Sequence, residues 1–211
     1  MKIKLIDVIA VLSFISVVII LVNIASVFIK VSDFNKEMTG KVSGYVNLSV
    51  SSIVTINLSR SSVSWGSGRV DTGSTNAILY TQGSDDASVS NGNWSVSSAK
   101  AFIVENTGNI NVSLSLQNIN NANDFFASTS GLNQEYKLNI SNKEPGSCSG
   151  NLLNTWIDVN KTSGGTRYCD QFSSLNGKNE IFIDVWLKVP YDASNTGDLS
   201  DTLTVIASSA G

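Results

Sequence analysis

From Ile110 to Gln117 the chain alternates without a break: Ile110, Val112, Leu114 and Leu116 are apolar, while Asn111, Ser113, Ser115 and Gln117 are polar. Only an extended strand sorts such a pattern into one dry and one wet face, because its successive side chains point to opposite sides. The same period recurs at Tyr45–Val50, Ile53–Leu58 and Thr202–Ala207. In Glu180–Val189 it puts Ile181, Ile183, Val185, Leu187 and Val189 on one face, and Phe182, Asp184, Trp186 and Lys188 on the other. Weaker strands are expected at Asn76–Gln82, Ala99–Glu105, Tyr136–Ile140 and Thr155–Val159. Clusters of Gly, Asn and Ser, such as Gly66-Ser67-Gly68 and Asn91-Gly92-Asn93, supply turns between them. Charged residues make up 15% of the chain against about 25% in an ordinary soluble domain. Asn, Ser and Thr fill the difference, and their side chains compete with helical hydrogen bonding. The expected fold is all-β, an antiparallel β-sandwich or jelly roll over residues 42–211, preceded by one N-terminal apolar transmembrane α-helix.

That helix is expected over residues 8–29, a stretch without charge and broken only by Ser13, Ser16, Asn23 and Ser26. Its 22 residues would extend about 33 Å, enough for a bilayer core of ~30 Å. A cleaved signal peptide has a shorter apolar region and small residues at the cut, and neither Ala25 nor Ser26 makes a good site. A pilin-like leader needs Gly or Ala directly before the apolar run, where Asp7 stands. An uncleaved single-pass anchor fits best. Residues 1–7 would then be cytoplasmic, 30–41 a juxtamembrane stalk, and the rest extracellular.

Two features fit an extracellular location. Cys148 and Cys169 are the two cysteines, and an even count outside the cytosol is most simply a disulfide. Six N-x-[ST] sequons, at Asn47, Asn57, Asn93, Asn111, Asn139 and Asn160, all follow residue 30 and are candidate N-glycosylation sites. Composition alone also generates several in a chain so rich in Asn, Ser and Thr. The absence of histidine excludes Ser-His-Asp and Cys-His catalysis and every His-ligated metal site. From residue 31 onward 11 basic and 16 acidic residues leave a net charge of −5, which disfavours nucleic acid as a partner.

Other candidate chemistry competes with plainer explanations. Asp192, Asp198 and Asp201 share one loop, but the spacing fits no EF-hand, and a solvated turn is the simpler reading. The same holds for Asp85-Asp86. Glu105, Asp124, Glu135, Asp158, Asp170, Glu180 and Asp184 are the pool from which a glycosidase pair would come, and nothing in the sequence selects two of them. Asp184, mid-strand among apolar residues, is expected at an edge or on a half-exposed face. Trp65, Trp94, Trp156 and Trp186 are expected to fill the core rather than form a sugar-stacking platform. Val42–Leu58 is β-prone and free of charge and proline; it is expected to form the first strands of the sandwich rather than pair with another subunit.

The turn Glu105-Asn106-Thr107-Gly108-Asn109, followed by the alternating strand, resembles those of small secreted β-sandwich proteins of archaeal cell surfaces. The ending adds to this: Leu187-Lys188-Val189-Pro190, a loop with Thr196-Gly197, then Asp201-Thr202-Leu203-Thr204-Val205 resembles the last two strands of many secreted sandwiches. The layout is also similar to that of camelysin-like biofilm-fibre proteins, a likeness that implies subunits joined by a donated strand. The function expected is a non-enzymatic, membrane-anchored structural or adhesive surface protein without metal or cofactor. It would contact glycans, neighbouring surface proteins or copies of itself. The alternative is a subunit of an extracellular filament, built by strand donation or by packing of the N-terminal helices.

Overall fold

The computed structural model describes residues 13–25, 49, 51–83, 86–128, 134–195 and 197–210. The chain divides into two compact units, Met1–Ser49 and Val50–Gly211. In the first, residues 13–25 form helix α1. Its polar side chains bond back to the preceding turn, Ser16 Oγ to Ser13 O at 2.8 Å and Asn23 Nδ2 to Ile19 O at 2.9 Å.

The expected transmembrane anchor over 8–29, and with it the single-pass membrane location, requires correction. No helix among the described residues is long and apolar enough to cross a membrane. Thirteen helical residues extend about 20 Å, against a hydrocarbon core of ~30 Å. The flanks 8–12 and 26–29, the terminus 1–7 and the stalk 30–41 lie outside the described residues.

The second unit is a pair of antiparallel sheets. Sheet I contains β1 (Ile56–Arg60), β2 (Asn76–Thr81), β3 (Ala87–Ser90), β4 (Phe102–Asn106), β6 (Glu135–Asn142), β8 (Ile157–Asp158) and β10 (Glu180–Pro190). Sheet II runs in the order β11 (Leu203–Ser209), β5 (Val112–Asn118), β9 (Thr166–Phe172), β7 (Cys148–Ser149). The five-residue helix α2, Ala122–Phe126, follows β5; Asn121 and Asp124 cap it reciprocally, and its Phe126 is buried. Alternation places Val112, Leu114 and Leu116 from sheet II in one core cluster with Ile181, Ile183, Val185 and Leu187 from sheet I.

Strand β10 organises sheet I. One side pairs with β6 from Ile181↔Asn142 to Lys188↔Glu135. The other side forks: Glu180–Ile183 pair with β4, and Trp186–Pro190 pair with β2. Asp184 and Val185 therefore stand where one neighbour ends and the next begins.

The turn after β4 ties the two sheets together. Asn106 is buried; its Nδ2 donates to Phe172 O on β9 at 3.1 Å and to Ile110 O at 3.0 Å, and its Oδ1 accepts from Gly108 N at 3.0 Å. Gly108 lies against residues 51–55, and a Cβ there would stand 2.3 Å from Ile53 O. Thr55 O accepts from Thr107 N and Gly108 N, and Asn109 bonds both Ile53 N and Ser51 O. Residues 51–55 thus bond to this turn of their own chain without forming a strand, so the strand expected at Ile53–Leu58 begins only at Ile56, as edge strand β1; Asn47 and its neighbours lie outside the described residues.

Cys148 and Cys169 form the expected disulfide, with Cα atoms 5.9 Å apart. It links β7 to β9 on sheet II.

Candidate functional site

The outer face of sheet I, away from the core, carries an open cleft of about 400 Å³. Its position follows from the pleat. The side chains of β10 that miss the core are Phe182, Asp184, Trp186 and Lys188, and the register sets Tyr80 of β2 beside Trp186 and Asn139 of β6 beside Asp184. Trp156, one residue before β8, completes the row. Tyr80 and Trp186 have ring centroids 5.1 Å apart at 31°, and Trp186 and Trp156 are 5.8 Å apart at 57°. The three rings touch and form a continuous strip, and all three are only half-buried. Gln82, Asn139 and Ser141 add amide and hydroxyl groups beside it.

Asp184 lies at the fork of β10 and is 2% exposed. Its Oδ1 accepts from Thr81 Oγ1 at 2.9 Å and from Gly83 N at 2.6 Å. Thr81 Oγ1 in turn accepts from Val185 N at 3.0 Å, an amide facing the gap between the ends of β4 and β2. One hydroxyl and one carboxylate thus close the ladder where the backbone leaves it open. Oδ2 is less well served, with Ser141 Oγ at 3.4 Å. Burial pushes the Asp184 carboxyl above its ordinary range, opposed by the Gly83 amide and the Thr81 and Ser141 hydroxyls. The expected edge or half-exposed placement is therefore wrong: Asp184 is buried inside the sheet, because the fork needs an acceptor there.

Two further buried polar atoms of the cleft residues have no hydrogen-bond partner, Asn139 Oδ1 and Trp186 Nε1. The Trp186 indole helps to hold the Glu135 carboxyl below its ordinary range, yet the pair lacks the geometry of a full hydrogen bond. Unpaired buried groups of this kind are uncommon in native folds.

The remaining carboxylates of the glycosidase pool are dispersed. Glu135 pairs with Lys137 at 2.9 Å and Lys188 at 3.6 Å, Asp124 with Lys161 at 2.6 Å, Asp170 with Arg167 at 3.9 Å, and Glu180 with Lys143. Glu105 accepts from Asn179, and Asp158 faces Lys137 across β6 and β8. The acidic loop does not converge either. Asp192 accepts from Ser128 Oγ, while Asp201 accepts from the Asn118 and Asn120 side chains and the Asn120 amide. Among the described residues no three acidic or cysteine side chains gather as a metal site would require. Asp85 lies outside the described residues.

Of the sequon asparagines, Asn57, Asn93 and Asn111 are exposed. Asn160 is half-buried, with Oδ1 on Thr162 N and Nδ2 on Thr166 Oγ1. Asn139 lies in the cleft. The tryptophans divide: Trp65 is in the core, Trp94 covers Gly68 and Gly92, and Trp156 and Trp186 are on the outer face. The core expectation thus fails for the last two. The signal that locates them is the polar side of β10, where Trp186 shares its face with Asp184 and Lys188.

Comparison with known protein families, with curated proteins and with solved structures gives no match for this chain.

Proposed function

We propose that the protein is a non-enzymatic structural or adhesive surface protein whose β-sandwich holds glycans in the cleft on sheet I. The observation that carries this reading is the row Tyr80–Trp186–Trp156, three touching rings left half-exposed beside amide and hydroxyl groups. A sugar ring has an apolar C–H face and a polar rim, and this strip, its rings tilted by 31° and 57° to one another, offers half-exposed aromatic surface with polar groups along its side. Asp184 is the one carboxylate among the described lining residues, whereas glycoside hydrolysis ordinarily uses two, which supports binding over cleavage. The disulfide suits folding in an oxidising compartment. Probing a glycan array with the protein, then titrating any hit against the Trp156→Ala and Trp186→Ala variants, tests the reading. Binding that weakens by on the order of tenfold in each folded variant supports it. Binding that neither variant weakens sinks it.

A second reading, self-association by strand pairing, draws on one observation. Among the described residues strand β11 is an edge paired with β5 alone, and it carries neither charge nor proline, the features that normally protect such edges. Sedimentation of the protein and of Val205→Lys tests it; a monomer at every concentration rules it out.

A further inference from the structure

We propose that the cleft selects uncharged sugars and rejects acidic ones, with Asp184 as the selecting group. This inference rests on the glycan-binding reading above and adds the chemical class of the ligand.

The ring geometry addresses one class of ligand. Tyr80, Trp186 and Trp156 follow one another at centroid distances of 5.1 and 5.8 Å, so adjacent rings are in contact. An aromatic cage for a quaternary ammonium needs rings standing apart around the cation. A contiguous row of half-exposed rings, each tilted to the next, instead offers aromatic surface to the C–H face of a pyranose.

The charges address the other classes. Among the described residues no Lys or Arg lines the cleft, and Asp184 is its one charged group. Two cations on the same face of sheet I, Lys137 and Lys188, are both engaged by Glu135. A uronate, sialate or sulfate would thus meet a carboxylate with no counter-charge. The meeting takes place at the floor of the sheet, where solvent screens little. A neutral sugar suits the same floor. Asp184 Oδ1 is already committed to Thr81 and Gly83, but Oδ2 has spare capacity for a hydroxyl donor. The Asn139 and Gln82 amides each offer both a donor and an acceptor to a hydroxyl.

The experiment compares matched oligosaccharides, oligogalactoside with oligogalacturonate and oligomannoside with oligomannuronate, on the wild type, Asp184→Asn, Trp156→Ala and Trp186→Ala. The expected result is that the wild type binds a neutral member and holds its acidic counterpart at least about tenfold more weakly. Asp184→Asn, which keeps the shape and the Oδ1 acceptor, is expected to narrow that gap. Equal binding of neutral and acidic members by the wild type overturns the proposal while leaving the glycan reading in place. So does a gap that persists undiminished in folded Asp184→Asn. Failure to bind any neutral member, or binding that neither tryptophan variant weakens, overturns the glycan reading and the proposal with it. The wild-type comparison needs no variant, so it decides even if Asp184→Asn does not fold.

Discussion

Asp184 shows how one side chain can serve both a sheet and a cleft. Removing the carboxylate in Asp184→Ala strands the Thr81 hydroxyl and the Gly83 amide, and is expected to cost about 2 kcal/mol in urea denaturation. Asp184→Asn retains an oxygen for both donors and should be far milder. The pH dependence has a definite sign. The folded state raises this carboxyl above its ordinary 3.8, so folding takes up a proton between the two values. The contribution of Asp184 to stability is therefore full below pH ~3.8 and declines as pH rises through the raised folded value. Denaturation across a pH series should show Asp184→Asn gaining on the wild type as pH rises. A constant difference between the two would show that the carboxyl is not perturbed. Asn106 is the second residue of this kind. Asn106→Ala loses the bonds to Ile110, Phe172 and Gly108 that tie β4 to β9, and a loss of about 3 kcal/mol is expected in the same assay.

At the scale of elements, the sequence was most legible where one face is dry and the other wet. Ile110–Gln117 and Glu180–Val189 became β5 and β10 to within two residues, since only one register buries their apolar sets. Strand β9 was not legible: in Thr166–Phe172 the apolar residues do not alternate, and bulges in its pairing with β5 break the period. Strands β3 and β7, at four and two residues, are too short to show a period at all, whereas β8 falls inside the strand expected at Thr155–Val159. The cleft was hidden for a different reason. Its aromatic row comes from β2, β10 and the approach to β8, and the sequence does not reveal that these lie side by side. The disulfide was legible because two cysteines leave one intramolecular pairing. It closes a 21-residue separation between β7 and β9, and reduction should lower stability by about 3 kcal/mol. Melting with and without reductant measures this; an unchanged midpoint would mean that the rest of sheet II holds β7 without help.

For the whole molecule, the site and the scaffold share the same strand. Trp186 and Asp184 project outward from β10, while Ile183, Val185 and Leu187 hold the core from its other face. A ligand on the strip should therefore register in the intrinsic emission of Trp156 and Trp186 while leaving the buried Trp65 unaffected. Fluorescence titration of the single-tryptophan replacements separates the two outer tryptophans from Trp65 and Trp94. A ligand that bound with no change from either outer tryptophan would be bound somewhere else.

The fork in β10 also bears on how the chain must be made. Strands β2, β4 and β6 meet only through β10, which lies near the end of the chain, after most of the sandwich has been synthesised. Until Glu180–Pro190 emerges from the ribosome, three strands wait with unpaired edges and an uncovered apolar face. Sheet I therefore closes late and all at once, by contacts distant in sequence, and such closure is slow. A nascent chain arrested before residue 180 should be rapidly cut by protease, whereas one released after β11 should resist.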